Sequence, residues 1–214
     1  MLPKKVFIAT SNAGKLRDFA GATAGVAGIV LELLPGFSGL PSVEEDGLTF
    51  EANACKKAGF YSGYAPSAIV LADDSGLEVA ALNGAPGVRS ARYAADDKRE
   101  FKAAYASLSD DDANNQRLLR ELANVPEADR AARFVCALAL ARDGAVLRTF
   151  EGEVRGTILR APRGQNGFGY DPLFYLPELG KTTAELTAED KAKVSHRGQA
   201  FRRFLEWHKK QTEY

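Results

Sequence analysis

Histidine and cysteine are scarce in this chain, with two of each among 214 residues. Two histidines cannot build a His-rich metal centre. Cys55 and Cys136 stand far apart with no CxxC spacing, which excludes a zinc site or a redox dithiol and fits a reducing compartment. No apolar run approaches a membrane span, and the opening MLPKKVFIATSN holds only Val6 to Ala9 as an apolar stretch, too short for a secretory signal. The expectation is a cytoplasmic, soluble protein with no membrane partner. Net charge is missing as well: 28 basic residues balance 28 acidic ones, so no global field draws in a nucleic acid. An anion bound here must be held by local geometry. Repeats and low-complexity segments are absent, and 214 residues with 45% hydrophobic content suit one domain spanning 1–214.

What is present reads as an α/β chain. Val6 to Thr10 is a strand-like run, closed by SNAGK and followed by a helical pattern through Leu16, Phe19, Ala20 and Thr23. Ile29 to Leu34 predicts a second strand ending at Pro35-Gly36, and Thr49 to Ser62 a second helix after the acidic turn Glu44-Glu45-Asp46-Gly47. Ile69 to Ala72 predicts a short strand that ends in Asp73-Asp74-Ser75-Gly76, with Leu77 to Val79 beyond. Residues 96–123 predict two helices broken near Asp110 to Asp112, with Asn114 or Asn115 capping the second. Phe134 to Arg142 and Val146 to Arg155 predict a hairpin through Asp143-Gly144, so the sheet must be mixed. Residues 161–172 form a Gly/Pro-rich structured loop. Thr187 to Lys210 predicts a helix recapped at Ser195, with Phe201, Phe204, Leu205 and His208 on one face.

Four groups of residues could carry chemistry. Thr10, Ser11, Asn12, Ala13, Gly14 and Lys15 lie between a strand and a helix N-terminus, where backbone N–H groups and the dipole favour a phosphate; simple capping by Ser11 or Asn12 is the plain alternative. A P-loop is excluded, because Leu16 stands where Ser or Thr is required. Glu44, Glu45, Asp46, Asp73 and Asp74 offer hard oxygen donors suited to Mg²⁺ or Mn²⁺, or a solvated turn in the case of the first three. Phe168 and Tyr170, set among Gly164, Gly167 and Gly169, could stack on a base or fill the core. Lys191, Lys193, His196 and Arg197 could serve phosphate oxygens or a purine carbonyl, or form a solvated basic face. Taken together, these groups describe a nucleoside triphosphate site.

The strings TSNAGK (10–15), GLTFEANACKKA (47–58), ADDSGLEVAALNGAPGVRSARYA (72–94), GFGYDPLF (167–174) and SHRGQAF (195–201) resemble, in order, those of the inosine/xanthosine triphosphate pyrophosphatase family. The resemblance implies an elongated mixed β-sheet flanked by helices, two lobes with a nucleotide cleft between them, and a homodimer. It also implies hydrolysis of purine nucleoside triphosphates such as ITP, dITP and XTP to the monophosphate and pyrophosphate. By position, Thr10 to Lys15 would contact the triphosphate, Asp74 would be general base and metal ligand, and Ser75 would touch substrate. Glu45 would be the second Mg²⁺ ligand. Phe168, Gly169, Tyr170, Asp171, Lys191, His196 and Arg197 would complete the substrate site. Ala52 departs from the Glu of many members, which leaves Asn53 as a supporting residue. Asp73 competes with Asp74 as base. Donors on His196 and Arg197 would accept a 6-keto purine and reject the amino group of adenine. A non-catalytic nucleotide sensor and a single-stranded nucleic-acid binder share parts of this pattern, but neither needs carboxylates beside a metal.

Overall fold

A computed structural model describes residues 5–23, 29–97 and 105–212. Seven strands form one mixed sheet in the order β2-β1-β3-β4-β5-β6-β7. They are β1 (Lys5–Ile8), β2 (Val30–Leu33), β3 (Ile69–Val79), β4 (Ala131–Arg142), β5 (Ala145–Ile158), β6 (Phe174–Leu176) and β7 (Lys181–Thr182). The β1 strand pairs parallel with β2 and β3, whereas β6 pairs antiparallel with β5 and β7. The helices are α1 (Ala13–Thr23), α2 (Phe50–Ser62), α3 (Asp110–Glu121), α4 (Ala188–Val194) and α5 (His196–Thr212). The Asp143-Gly144 turn joins β4 to β5 with φ of 49° and 84°, the left-handed pair that a two-residue hairpin matching the strand twist requires.

The chain divides into two compact units, and β3, β4 and β5 contribute residues to both. The first comprises residues 1–75, 135–153 and 192–214. Its core lies on one face of the sheet: Val6, Ile8, Ile69, Leu71, Cys136, Leu138, Leu140 and Phe150 alternate along their strands and meet Phe19 of α1 and Ala200, Phe201 and Phe204 of α5. Phe204 is the hub, its ring 5.4 Å from that of Phe201 and 5.6 Å from that of Phe150. The α5 helix comes close because Gly152 has no side chain; a Cβ there would lie 2.1 Å from the His196 carbonyl oxygen. The break before α5 falls at Ser195, whose hydroxyl accepts the Gly198 N–H at 3.1 Å. No helix among the described residues is long and apolar enough to cross a membrane.

The second unit holds residues 76–134 and 154–191. Two sequence expectations change. The α3 helix is capped by Ser109, not by Asn114 or Asn115. The Ser109 side chain accepts the Asp112 N–H, and Asp110 to Asp112 fill the first turn, where the helix dipole favours negative charge. Asn114 instead lies buried inside α3, where it accepts the Ala94 N–H and donates to the Ala91 carbonyl. Of the helix expected before it, residues 98–104 lie outside the described residues. The second change is β3, which does not stop at Ala72 but runs on to Val79, so Asp73 and Asp74 stand within a strand and not at its end.

Truncating the hub of the first unit, Phe204→Ala, is expected to cost about 3–5 kcal/mol of unfolding free energy. Urea titration at 25 °C checks this, and a loss below about 1 kcal/mol would show that the ring is not held by the core.

Candidate active site

Successive side chains of a strand point to opposite faces. Ile69, Leu71 and Asp73 share the face of β3 covered by α1 and α5, and Val70, Ala72 and Asp74 the face toward α2. Adjacent carboxylates therefore enter different surroundings.

Asp73 is 2% exposed and ringed by cations. Its Oδ2 lies 2.9 Å from Lys15 Nζ and 3.7 Å from Arg197 Nε, and accepts the Ser75 hydroxyl at 3.1 Å. The Arg197 guanidinium also donates to Ser75 Oγ at 2.7 Å and to Asp18 at 3.0 Å. Burial by itself would raise the Asp73 pKa, but Lys15, Arg197 and Lys57 outweigh it and hold the group at about 2. Asp73 is a fixed anion that sets two cations beside the start of α1. The segment between β1 and α1 is organised by its own side chains. Thr10 Oγ1 accepts the Asn12 N–H at 3.2 Å, and Asn12 Oδ1 accepts the Lys15 N–H at 3.0 Å. Asn12 is thus the helix cap, and Ser11, Asn12 and Ala13 are exposed at the positive end of α1.

On the α2 side, Thr49 caps the helix and Asn53, Ala54, Lys57, Ala58 and Tyr61 form its buried stripe. Asn53 Nδ2 donates to Asp74 at 3.0 Å while its Oδ1 accepts the Gly47 N–H at 2.7 Å, tying the acidic turn to the strand. The Lys57 ammonium bridges Glu45 at 2.8 Å and Asp74 at 3.4 Å. Burial raises the Asp74 pKa and Glu45 raises it further, against the opposing pull of Lys57, Lys15 and the Asn53 hydrogen bond. Burial would lower Lys57, but Asp74, Asp73 and Glu45 more than reverse it. Lys57 was not among the sequence-derived site residues. Its signal was the i, i+4 spacing from Asn53, which puts both on one helical face. Asp18 carried no such signal, because its partner Arg197 is distant in sequence.

The second unit gathers Phe168, Gly169, Tyr170, Asp171 and Lys191. Tyr170 is a core residue, its hydroxyl donating to the Ser90 carbonyl at 2.9 Å, and burial pushes its pKa up. Gly169 is pinned by Asp111 and Asn115 at 2.7 and 2.9 Å. Phe168 is half-buried, with the Lys191 ammonium 5.0 Å from its ring centroid. His196 and Arg197 lie buried at the start of α5 in the first unit.

A carboxyl held at about 2 instead of near 3.9 stabilises the fold above pH ~4 and ceases to do so as pH falls through about 2, a contribution of about 2 kcal/mol. Asp73→Asn is therefore expected to lose stability at pH 7, and the gap from wild type should narrow between pH 4 and 2 in urea titrations. A gap independent of pH would show that the charge of Asp73 does not stabilise the fold.

The chain is similar to known proteins over nearly its whole length. The Ham1 family profile matches residues 6–207. The dITP/XTP pyrophosphatase of Acidobacterium capsulatum is 52% identical over 94% of this chain and 96% of its own length. That of Geobacter sulfurreducens is 47% identical over 92% of each. Among solved structures, the Staphylococcus aureus Ham1 protein superposes with a TM-score of 0.79 at 38% identity, covering 98% of this chain and all of that one. A HAM1 protein from Coxiella burnetii gives 0.78 at 37% identity, again over 98% of this chain and all of the other. With nearly its whole length matched and its mixed sheet shared, this chain belongs to the Ham1 family.

Proposed function

We propose that this chain hydrolyses non-standard purine nucleoside triphosphates, among them dITP, XTP and ITP, to the nucleoside monophosphate and pyrophosphate. The carrying observation is the division of labour within β3. Asp73 is neutralised by Lys15 and Arg197, while Asp74, raised by burial and by Glu45, keeps its proton affinity despite Lys57 and Asn53. Relatives named dITP/XTP pyrophosphatase at 45–52% identity support the same reading.

The donor set suits a divalent cation. Glu45 and Asp74 both face one cationic point, the Lys57 ammonium, and no group of three His, Cys, Asp or Glu residues that could hold a metal ion occurs among the described residues. Two carboxylates, with waters and substrate phosphates completing the shell, is the habit of Mg²⁺, and Mn²⁺ fits the same oxygens. Glu45 and Asp74 would hold it, and when bound it would neutralise charge on the phosphates. The remaining chemistry belongs to the chain. Thr10 to Lys15 grip the triphosphate through backbone N–H groups, the α1 dipole and the Lys15 charge, with Ser75 beside them. Asp74 orients a water and takes its proton as the water attacks phosphorus and pyrophosphate departs. Asp73 is a poor base, since a group ionised down to pH 2 has little affinity for a proton.

Base selection follows from hydrogen-bond polarity. A 6-keto purine presents an acceptor where adenine presents an amino donor. Within the second unit Lys191 supplies a donor, with Phe168 offering an aromatic face for the ring and Gly169 beside it; the sequence resemblance assigns further donors to His196 and Arg197. A site that hydrogen-bonds such a group can discriminate by ~10⁴. Reduced cysteines fit a cytoplasmic setting, zero net charge argues against a nucleic-acid partner, and a homodimer is the assembly that the sequence resemblance implies.

With Mg²⁺ present, dITP, XTP and ITP should be cleaved far faster than ATP, releasing pyrophosphate and not orthophosphate; comparable rates for all four would falsify the assignment. Asp74→Asn should lower kcat by about 10²–10⁴ with the fold intact by circular dichroism. Near-normal turnover in that variant would return the base to Asp73. Chelation by EDTA should abolish turnover, and added Mg²⁺ should restore it.

A further inference from the structure

One buried carboxylate holds the glycine-rich loop of the second unit. Asp171 is 3% exposed. Its Oδ1 accepts the Thr183 hydroxyl at 2.8 Å, and its Oδ2 accepts both the Phe168 N–H at 2.9 Å and the Lys191 ammonium. Room for Oδ2 exists because residue 167 is glycine: with φ of 81°, a Cβ there would lie 2.0 Å from that oxygen. Thr183, 2% exposed, opens the short 3-10 turn Thr183–Glu185, which a reciprocal Thr182/Glu185 capping box locks in place. The Ala184 N–H donates to the Asp171 carbonyl at 3.2 Å, and the Asn166 N–H to the Ala184 carbonyl at 3.0 Å. The turn and the loop are laced together along their backbones.

This arrangement leaves Asp171 little capacity to meet a ligand itself. Both oxygens are engaged within the protein, and its negative charge is spent on Lys191. Lysine is among the costliest side chains to immobilise, so an ammonium fixed before substrate arrives avoids that entropy loss on binding. Held through Oδ2 alone, by Lys191 and the Phe168 N–H, the carboxylate could still swing its other oxygen about the Cβ–Cγ bond. The Thr183 hydroxyl on the other oxygen prevents the turn.

We infer that Thr183 and Asp171 are positioning residues for base recognition. Thr183 fixes the Asp171 carboxylate, which in turn fixes the Lys191 ammonium over the Phe168 ring, and neither touches the substrate. The inference rests on the reading that the chain acts on deaminated purine triphosphates with Lys191 donating to the base.

The experiment compares KM and kcat for ITP and ATP in wild type, Thr183→Val, Thr183→Ser, Lys191→Met and the Thr183→Val/Lys191→Met double variant. Thr183→Val should raise KM for ITP about tenfold with kcat within about twofold, and lower the ITP-to-ATP ratio of kcat/KM about tenfold. Thr183→Ser, which keeps the hydroxyl, should restore both. In the Lys191→Met background, adding Thr183→Val should change KM by less than about twofold, because the residue acts through Lys191. Should Thr183→Val fail to fold, Asp171→Asn takes its place in the same cycle. A wild-type ITP preference that survives Thr183→Val, or effects that simply multiply in the double variant, overturns the inference. A wild type that does not cleave ITP overturns the functional reading beneath it.

Discussion

The strict two-residue alternation of β3 is the constraint on which the candidate site depends. It sends Asp73 and Asp74, covalent neighbours of the same chemistry, to opposite faces of one sheet. Each then takes its character from the helices packed on its face. Toward α1 and α5 the carboxylate meets Lys15 and Arg197 and becomes a permanent anion; toward α2 it meets an amide, a shared lysine and the acidic turn, and keeps its proton affinity. Two interior carboxylates would be unfavourable on one face without such partition, since like charges in a poorly solvated site oppose each other's ionisation.

Charge in this protein is consequently local. The chain as a whole is neutral, yet Lys15, Arg197, Lys57, Asp18, Glu45, Asp73 and Asp74 lie within one unit in linked ion pairs. Such pairs are worth little on a surface, but here the participants are largely withdrawn from water and the removal of one strands another. The second unit repeats the device with a single carboxylate, Asp171, and a single lysine.

Glycines and short side chains decide how closely the parts approach. Without Gly152 the first turn of α5 could not lie on β5, and without Gly167 the Asp171 oxygen would have no place. Phe168 and Tyr170, two residues apart in one loop, part ways for the same packing reasons: the tyrosine is drawn into the core by the Ser90 carbonyl, while the phenylalanine stays half-buried beside Lys191.

Local chemistry by itself determined much of this molecule. The Asp-Gly hairpin, the α2 helix ending at Ser62, the recapping at Ser195, the apolar face of α5 and the mixed sheet were all legible, because turns, caps and periodicity are written within a few residues. So were the chemistry-bearing strings themselves, from TSNAGK to SHRGQAF. The uninterrupted passage of β3 through Asp73 and Asp74 was not, since a pair of adjacent acids reads locally as a strand end until ladder pairing and buried partners outweigh the charge. Nor was the cap of α3, where Ser109 prevails over Asn114 because tertiary contacts to Ala91 and Ala94 claim the asparagine side chain. The different surroundings of Asp73 and Asp74, and the ion pairs of Lys57 and Asp18, belong to the tertiary structure alone. A carboxylate's proton affinity is set by burial and by charges brought close from distant parts of the chain, and spacing along a sequence carries neither.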